Sequence, residues 1–341
     1  MKKTLFLITG LGYGGAERFL LKLLPRLDTS KFVVVSITGL NDIGLKLEDK
    51  GVRVIYLNSG KNFKFFKSVF GLRRVIKDFK PSVMMTFLIH ADLFGRFFGR
   101  LFGVKKIICN VRNDYSKVSS LWWLDRLSRF LVSSYVINSV SLKSYMRCIK
   151  VSRYKVLSNG IDLSEVDSVS GLDLGISGKK IVSVARLMSQ KDHATLIRAL
   201  VDLPSYSLIL VGDGPLKSEL RDLSFSLGVL DRVHFLGFRS DAVSIMKSCD
   251  VFVLSSKTEG MSNSLLEAMA IGLPCIVSDI EQNRVLIESG VNGLSFPVGD
   301  SAKLSECIKS VKKSYGQKGR ETIKNNYSLD SVKKDYERLL R

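Results

Sequence analysis

Residues 180–211 read KIVSVARLMSQKDHATLIRALVDLPSYSLILV, and this stretch decides the fold class. Lys180–Val184 is a short apolar run and Ala194–Val201 carries apolar residues at helical spacing. Ser207–Val211 is a second apolar run. Strand, helix and strand within about thirty residues make a βαβ unit, whose strands pair in parallel through a right-handed crossover.

The alternation continues outward from there. Downstream, strands are predicted at Val233–Leu236, Val251–Leu254 and Pro274–Val277, with helices at Leu216–Leu227 and Ser262–Ile271. Upstream, a polar stretch and the turn-like Ser158-Asn159-Gly160-Ile161-Asp162 interrupt it. A first set of strands precedes that break: Thr4–Thr9, Phe32–Thr38, Val52–Leu57, Ser82–Phe87 and Lys106–Cys109, with helices such as Glu17–Leu27 and Asn62–Phe79. The prediction is α/β: two doubly wound Rossmann-like domains facing each other across a cleft. Their expected ranges are 1–160 and 161–327, with a last helix near 328–341 packing back on the first. A length of 341 residues suits two cores better than one.

Composition excludes a disordered, collagenous or disulfide-scaffold chain: 45% of residues are hydrophobic and 25% charged. Cys109, Cys148, Cys249, Cys275 and Cys307 are scattered, so they read as inert thiols of a reducing compartment, with neither a zinc site nor disulfides. The start, MKKTLFLITGLGYGGA, reads as a first strand and turn rather than a cleaved leader, and no apolar run is long enough to span a bilayer. The net charge is +20 and all of it lies before residue 161, where 29 Lys and Arg face 9 Asp and Glu. Such a partition points to a polyanionic partner of the N-terminal half, a nucleic acid or an anionic membrane.

Gly10-Leu11-Gly12-Tyr13-Gly14-Gly15 follows a strand and precedes a helix, as in dinucleotide-binding turns. The acid expected at the end of the second strand comes late, at Asp42, so a glycine turn opening onto another ligand is the better reading. Arg186 and Lys191 flank one strand-to-helix loop, where two cations and a helix N-terminus suit a pyrophosphate. Glu259-Gly260-Met261-Ser262-Asn263-Ser264-Leu265-Leu266-Glu267 places a carboxylate on a glycine loop, then a helix start, then a second carboxylate among apolar neighbours. Backbone amides of Asn263, Ser264 and Leu265 could grip a diphosphate while the acids accept from hydroxyls. That chemistry suggests a nucleotide-linked sugar.

The strings VARLMSQKDHATLIRAL, LILVGDGPLKSEL, VHFLGF and FVLSSKTEGMSNSLLEAMAIGLPCIVSD, in this order, resemble the C-terminal domain of retaining GT-B glycosyltransferases of family 4. The resemblance extends to GLGYGGAERFLLKLL and to SNGID. It implies that Arg186 and Lys191 bind the donor diphosphate and assist its departure, that Glu259 contacts the donor sugar, and that Glu267 contacts the ribose. Gly212, Gly237 and Phe238 would lie by the donor, with Gly260, Met261, Ser262, Asn263, Ser264 and Leu265 lining it. Gly12, Gly14 and Gly15 would approach it from the N-terminal side. Ser262 stands where many members carry proline, a change expected to soften the loop slightly without touching a ligand group. In place of the family's usual histidine, this chain offers Arg112-Asn113-Asp114, and His90 is a further candidate; His90, Arg112 and Asp114 are all carried as catalytic candidates. With no Asp-x-Asp motif, a metal-independent front-face reaction is expected, with a UDP-sugar donor, an α product and no cofactor.

Seven cations and one acid in Lys61–Lys80 are interleaved with Phe63, Phe65, Phe66, Phe70 and Phe79, and Phe94–Lys106 repeats the character. Lys61, Lys64, Phe65, Phe66, Lys67, Arg73, Arg74, Arg96 and Arg100 are therefore expected to meet an anionic membrane or a lipid-linked acceptor. The expectation is a cytoplasmic transferase lying on the inner face of the cell membrane, with no nucleic acid partner. Two further readings stay open: a nucleotide-sugar 2-epimerase or glycogen-type synthase on the same fold, and a basic nucleic-acid-binding protein.

Overall fold

The computed structural model describes residues 1–12, 15–39, 42–58, 65–115 and 121–341. They form two compact units, Met1–Gly160 with Leu329–Arg341, and Ile161–Ser328. Among the described residues no helix is long and apolar enough to cross a membrane.

The first unit holds β1 (Thr4–Ile8), β2 (Phe32–Ser36), β3 (Val54–Tyr56), β4 (Val83–Phe87), β5 (Lys106–Val111), β6 (Ser134–Ile137) and β7 (Tyr154–Val156). They run parallel in the order β3-β2-β1-β4-β5-β6-β7. The helices are α1 (Gly15–Leu23), α2 (Asp42–Asp49), α3 (Phe65–Phe79), α4 (Ile89–Leu101), α5 (Trp122–Ser128) and α6 (Lys143–Cys148). Neighbouring residues of a strand face opposite ways, so Leu5 and Leu7 join one core cluster while Phe6 and Ile8 join another. A strand covered on both faces is fully buried and mostly apolar, as TLFLI, FVVVS and VMMTF are in β1, β2 and β4.

The second unit starts with α7 (Leu163–Ser168). It continues β8 (Lys179–Val184), α8 (His193–Ala199), β9 (Tyr206–Val211), α9 (Lys217–Ser226), β10 (Val233–Gly237), α10 (Ala242–Lys247) and β11 (Val251–Leu254). Then follow α11 (Asn263–Ala270), β12 (Cys275–Ser278), α12 (Glu281–Arg284), β13 (Leu294–Phe296), α13 (Ser301–Ser310) and α14 (Lys313–Thr322). The strands are parallel in the order β10-β9-β8-β11-β12-β13, so the order reverses between β8 and β11. Loops leaving two such strands diverge to opposite faces and leave room for a ligand.

The last helix, α15 (Leu329–Leu339), belongs to the first unit: Leu329, Val332 and Tyr336 join Phe6 and Phe19 in its core. Where the chain comes back, a Cβ on Gly160 would stand 2.8 Å from Leu329 Cα, so glycine permits the close passage.

Departures from the predicted elements have local causes. The helix expected over Glu17–Leu27 gives way at Leu24–Arg26 to a tighter turn, because Pro25 lacks an amide hydrogen. The strands β6, β7 and β13 were not foreseen. The two edge strands, β7 and β13, have three residues each, too few to show a period.

Candidate functional site

The loops that leave β8 and β11 are laced together. Gln190 Nε2 donates to the Thr258 carbonyl at 2.8 Å, the Lys257 amide donates to the Gln190 carbonyl at 2.9 Å, and Ser255 Oγ donates to the Lys191 carbonyl at 3.0 Å. Across this lacing Lys191 Nζ donates to Glu259 Oε1 at 2.6 Å, and Ser256 Oγ donates to the same oxygen at 2.6 Å. Glu259 is buried and Lys191 mostly so. A pair this short and this sheltered from water fixes the ammonium in place.

Arg186, at the end of β8, is exposed, while its carbonyl accepts from His193 Nε2 at 3.2 Å. Burial lowers the His193 pKa from 6.5 to about 4, so its ring stays neutral and serves as a strut under the loop. On the other side of β8, the Gly212 amide donates to the Gly237 carbonyl at 2.8 Å, joining the ends of β9 and β10. Gly212 has φ 139°, and a Cβ there would stand 2.1 Å from the Ala185 carbonyl oxygen, so no other residue fits. Next to Gly237, the Phe238 side chain is 78% exposed, just past the C-terminal end of β10.

At the start of α11 Ser262 is the N-cap, and its Oγ accepts from the Leu265 amide at 3.3 Å. Leu265 is fully buried and its amide already donates to the Ser262 hydroxyl, against the expectation that it serves a ligand. Ser262 caps the helix start. Asn263 and Gly260 are exposed, Ser264 and Met261 are half-buried, and Glu267 is half-buried one turn into α11. A Cβ on Gly12, Gly15 or Gly260 would meet nothing within 4 Å. Among the described residues no three or more His, Cys, Asp or Glu side chains cluster as a metal site.

The N-terminal candidates separate. His90 is exposed in the first turn of α4, and the Ala91 amide donates to Thr9 Oγ1 at 3.3 Å. Leu88, two residues before it, has φ 75°, a strained value for a leucine. Arg112 is engaged within its own unit. Its guanidinium lies 4.1 Å from the Phe19 ring centroid and 5.6 Å from that of Phe87, and Nη1 donates to Asn159 Oδ1 at 2.8 Å. It thereby secures the end of β5, where Asn110 Nδ2 also donates to the Tyr336 hydroxyl of α15 at 2.8 Å. Asp114 lies half-buried just beyond.

Two cations assigned to a membrane are corrected as well. Arg96 is 0% exposed and pairs with Asp125 at 2.6 Å, on a helix face turned toward the sheet. Arg100 is engaged within its own unit, donating to the Leu131 carbonyl and the Ser133 hydroxyl at 2.8 Å each. Lys67, Arg73 and Arg74 are exposed on α3, as are Phe65 and Phe66. Gly14, Lys61 and Lys64 lie outside the described residues. Sequence reading missed Gln190, Ser255 and Ser256. Only the serine three residues before Glu259 offered a signal, and serine is common in loops.

Comparison with known proteins gives consistent results. The family profile "Glycosyl transferases group 1" matches residues 174–329, and "Glycosyltransferase Family 4" matches residues 13–165. The lipopolysaccharide core biosynthesis glycosyltransferase LpsE of Rhizobium meliloti is 28% identical over 69% of this chain and 63% of its own length, less than two thirds of that relative. The N-acetylgalactosamine-N,N'-diacetylbacillosaminyl-diphospho-undecaprenol 4-alpha-N-acetylgalactosaminyltransferase of Campylobacter jejuni is 26% identical over 98% of this chain and 97% of its own. Among solved structures, Anabaena Alr3699/HepE in complex with UDP superimposes with a TM-score of 0.83 at 21% identity, covering 100% of this chain and 99% of that one; the likeness is one of fold.

Proposed function

This chain belongs to the GT-B glycosyltransferases, and from that premise we propose that it is a retaining enzyme acting on a lipid-linked or polysaccharide acceptor. It moves a hexose or N-acetylhexosamine from a nucleotide diphosphate sugar, taken to be a UDP-sugar, and forms an α-glycosidic bond without metal. The observation that carries this reading is the Lys191–Glu259 pair, held between the loops of β8 and β11 where the strand order reverses.

In this reading Lys191 and Arg186 neutralise the diphosphate as the bond from the sugar's anomeric carbon to its oxygen breaks. The acceptor hydroxyl attacks from the same face, and its proton passes to the departing phosphate oxygen. Glu259 is poorly suited to be a nucleophile, since one of its oxygens already accepts from both Lys191 and Ser256. Its part is to hold the ammonium and to meet sugar hydroxyls. Phe238 offers its ring to the base, and Glu267 a carboxylate to the ribose. The exposed Lys67, Arg73, Arg74 and Phe66 of α3 suit an enzyme whose acceptor waits in a membrane. A cytoplasmic place on the membrane's inner face belongs to the same proposal.

The test is turnover with UDP-, GDP- and TDP-sugars against lipid diphosphate-linked sugars, with chelator present, and the product anomer read by NMR. An α product formed equally well with EDTA is expected. A β product, or activity lost to EDTA and restored by a divalent ion, would overturn the mechanism.

A further inference from the structure

The loop that leaves β11 is held from two sides. On the β8 side it carries the lacing by Gln190, Lys257 and Ser255. On the β12 side the backbone ladder ends at the pair Leu254–Val277, short of Ser256. Beyond that point a side chain takes over. Ser278, the last residue of β12, donates its hydroxyl to the Ser256 carbonyl. Asn283 of α12 holds Ser278 in turn: its Nδ2 donates to the Ser278 carbonyl at 2.9 Å and to the Ser278 hydroxyl oxygen at 3.3 Å.

These contacts form one chain that ends at the site. Asn283 fixes Ser278, and Ser278 fixes the backbone of Ser256. The Ser256 hydroxyl then meets the Glu259 oxygen that holds Lys191 Nζ, each at 2.6 Å. Ser256, Ser278 and Asn283 are all buried, so a missing member leaves a polar group without solvent to replace it. Buried this deeply, Ser278 and Asn283 touch no ligand themselves. Lys191, with 18% of its side chain exposed, is where the chain reaches solvent. An ammonium has three donors and Glu259 takes one, which leaves two for anionic oxygens of a ligand. A cation that must meet a phosphate oxygen at hydrogen-bond distance loses most of its effect on shifting by about 1 Å.

We propose that Ser278 and Asn283 are positioning residues for the transfer: through Ser256 and Glu259 they set where the Lys191 ammonium meets the donor diphosphate. This rests on the reading of the Lys191–Glu259 pair as the diphosphate site. A chain that only ties β12 and α12 to β11 would affect stability and leave diphosphate recognition alone.

The test is the calorimetric affinity of the full chain for UDP, GDP and TDP, each paired with its own nucleoside, following the pair that wild type binds most tightly. Ser278→Ala, Asn283→Ala and Lys191→Met are compared with wild type. Ser224→Ala is the control, since it removes a buried hydroxyl of the same unit that donates to the Leu220 carbonyl, outside the chain. A neutral hydrogen bond is worth about fivefold, so Ser278→Ala and Asn283→Ala are each expected to raise the Kd of the nucleoside diphosphate by about fivefold. Both are expected to spare the nucleoside, which lacks the group that Lys191 meets, and Ser224→Ala to spare both ligands. Should Ser278→Ala fail to fold, Asn283→Ala, which keeps the Ser278 hydroxyl, carries the same comparison. Diphosphate affinity unchanged in the folded variants overturns the assignment. So does nucleoside affinity lost in step with it, or an equal loss in Ser224→Ala. If Lys191→Met weakens the diphosphate and the chain variants do not, the donor reading stands and the positioning role falls. If Lys191→Met leaves the diphosphate unmoved, or wild type binds none of the three, the donor reading itself falls and the positioning role goes with it.

Discussion

Glu259 sits at 7% exposure with its charge met by Lys191 and Ser256, and removing one partner of such a pair costs more than replacing both. Lys191→Met is therefore expected to lower stability by about 3 kcal/mol, and Lys191→Met with Glu259→Gln to recover most of it while turnover stays lost; urea unfolding and initial rates check this. The Arg96–Asp125 pair behaves alike in the other unit: Asp125 also accepts from the Tyr145 hydroxyl at 2.7 Å, so Asp125→Ala is expected to cost about 3–5 kcal/mol in urea unfolding. Neither pair could be read in advance. Arg96 stands in FGRFFGR, where alternating aromatics and cations look like a membrane face, and its partner lies 29 residues away. Glu259 and Lys191 were legible as chemistry, but nothing in their spacing of 68 residues said that they touch.

Among the elements, α8 and α11 each meet the site at their first turn. The sequence placed α11 to within a residue at either end, because Glu259–Ala270 combines a glycine loop with an apolar run at helical spacing. What it did not yield was the cap, a question of one hydroxyl's direction. Ser262→Ala is expected to lower stability by about 1 kcal/mol, measured by thermal or urea unfolding. Helix α8 starts at His193, whose ring donates to the Arg186 carbonyl and is held neutral by burial. Its folded pKa of about 4 lies below the ordinary 6.5, so the unfolded chain binds more protons between those values. Its contribution is complete above pH 6.5 and is lost as pH falls toward 4. The pH dependence of unfolding should lose that slope in His193→Gln. Burial pushes the Asp92 carboxyl the other way, up to about 7, so the slope is read as a difference between the two proteins and not from wild type alone.

On the scale of the whole molecule, the charge is a property of one region: all of the +20 precedes residue 161, and residues 161–341, which include the Lys191–Glu259 site, carry 23 charges of each sign. The parallel, doubly wound plan was legible because both sheets are buried on two faces, which forces apolar runs that mark each strand. Of the three-residue edge strands, β7 and β13 left no such mark, while β3 was marked by the longer run Val52–Leu57. The exposed cations and aromatics of α3 predict binding to anionic vesicles at low salt that falls steeply as salt rises. Changing Lys67, Arg73, Arg74 and Lys77 to Gln removes about 1 kcal/mol each, and a sedimentation assay with vesicles reads the loss. Donor handling needs none of those four residues. It is tested most directly by calorimetric melting with and without UDP-sugar, on wild type and on the Lys191→Met, Glu259→Gln double variant. Ligand at a hundred times its Kd should stabilise wild type by about 2.7 kcal/mol and leave the folded double variant unmoved. A wild type indifferent to every nucleotide sugar, or a double variant protected equally, would contradict the assignment of this site to a sugar-nucleotide donor.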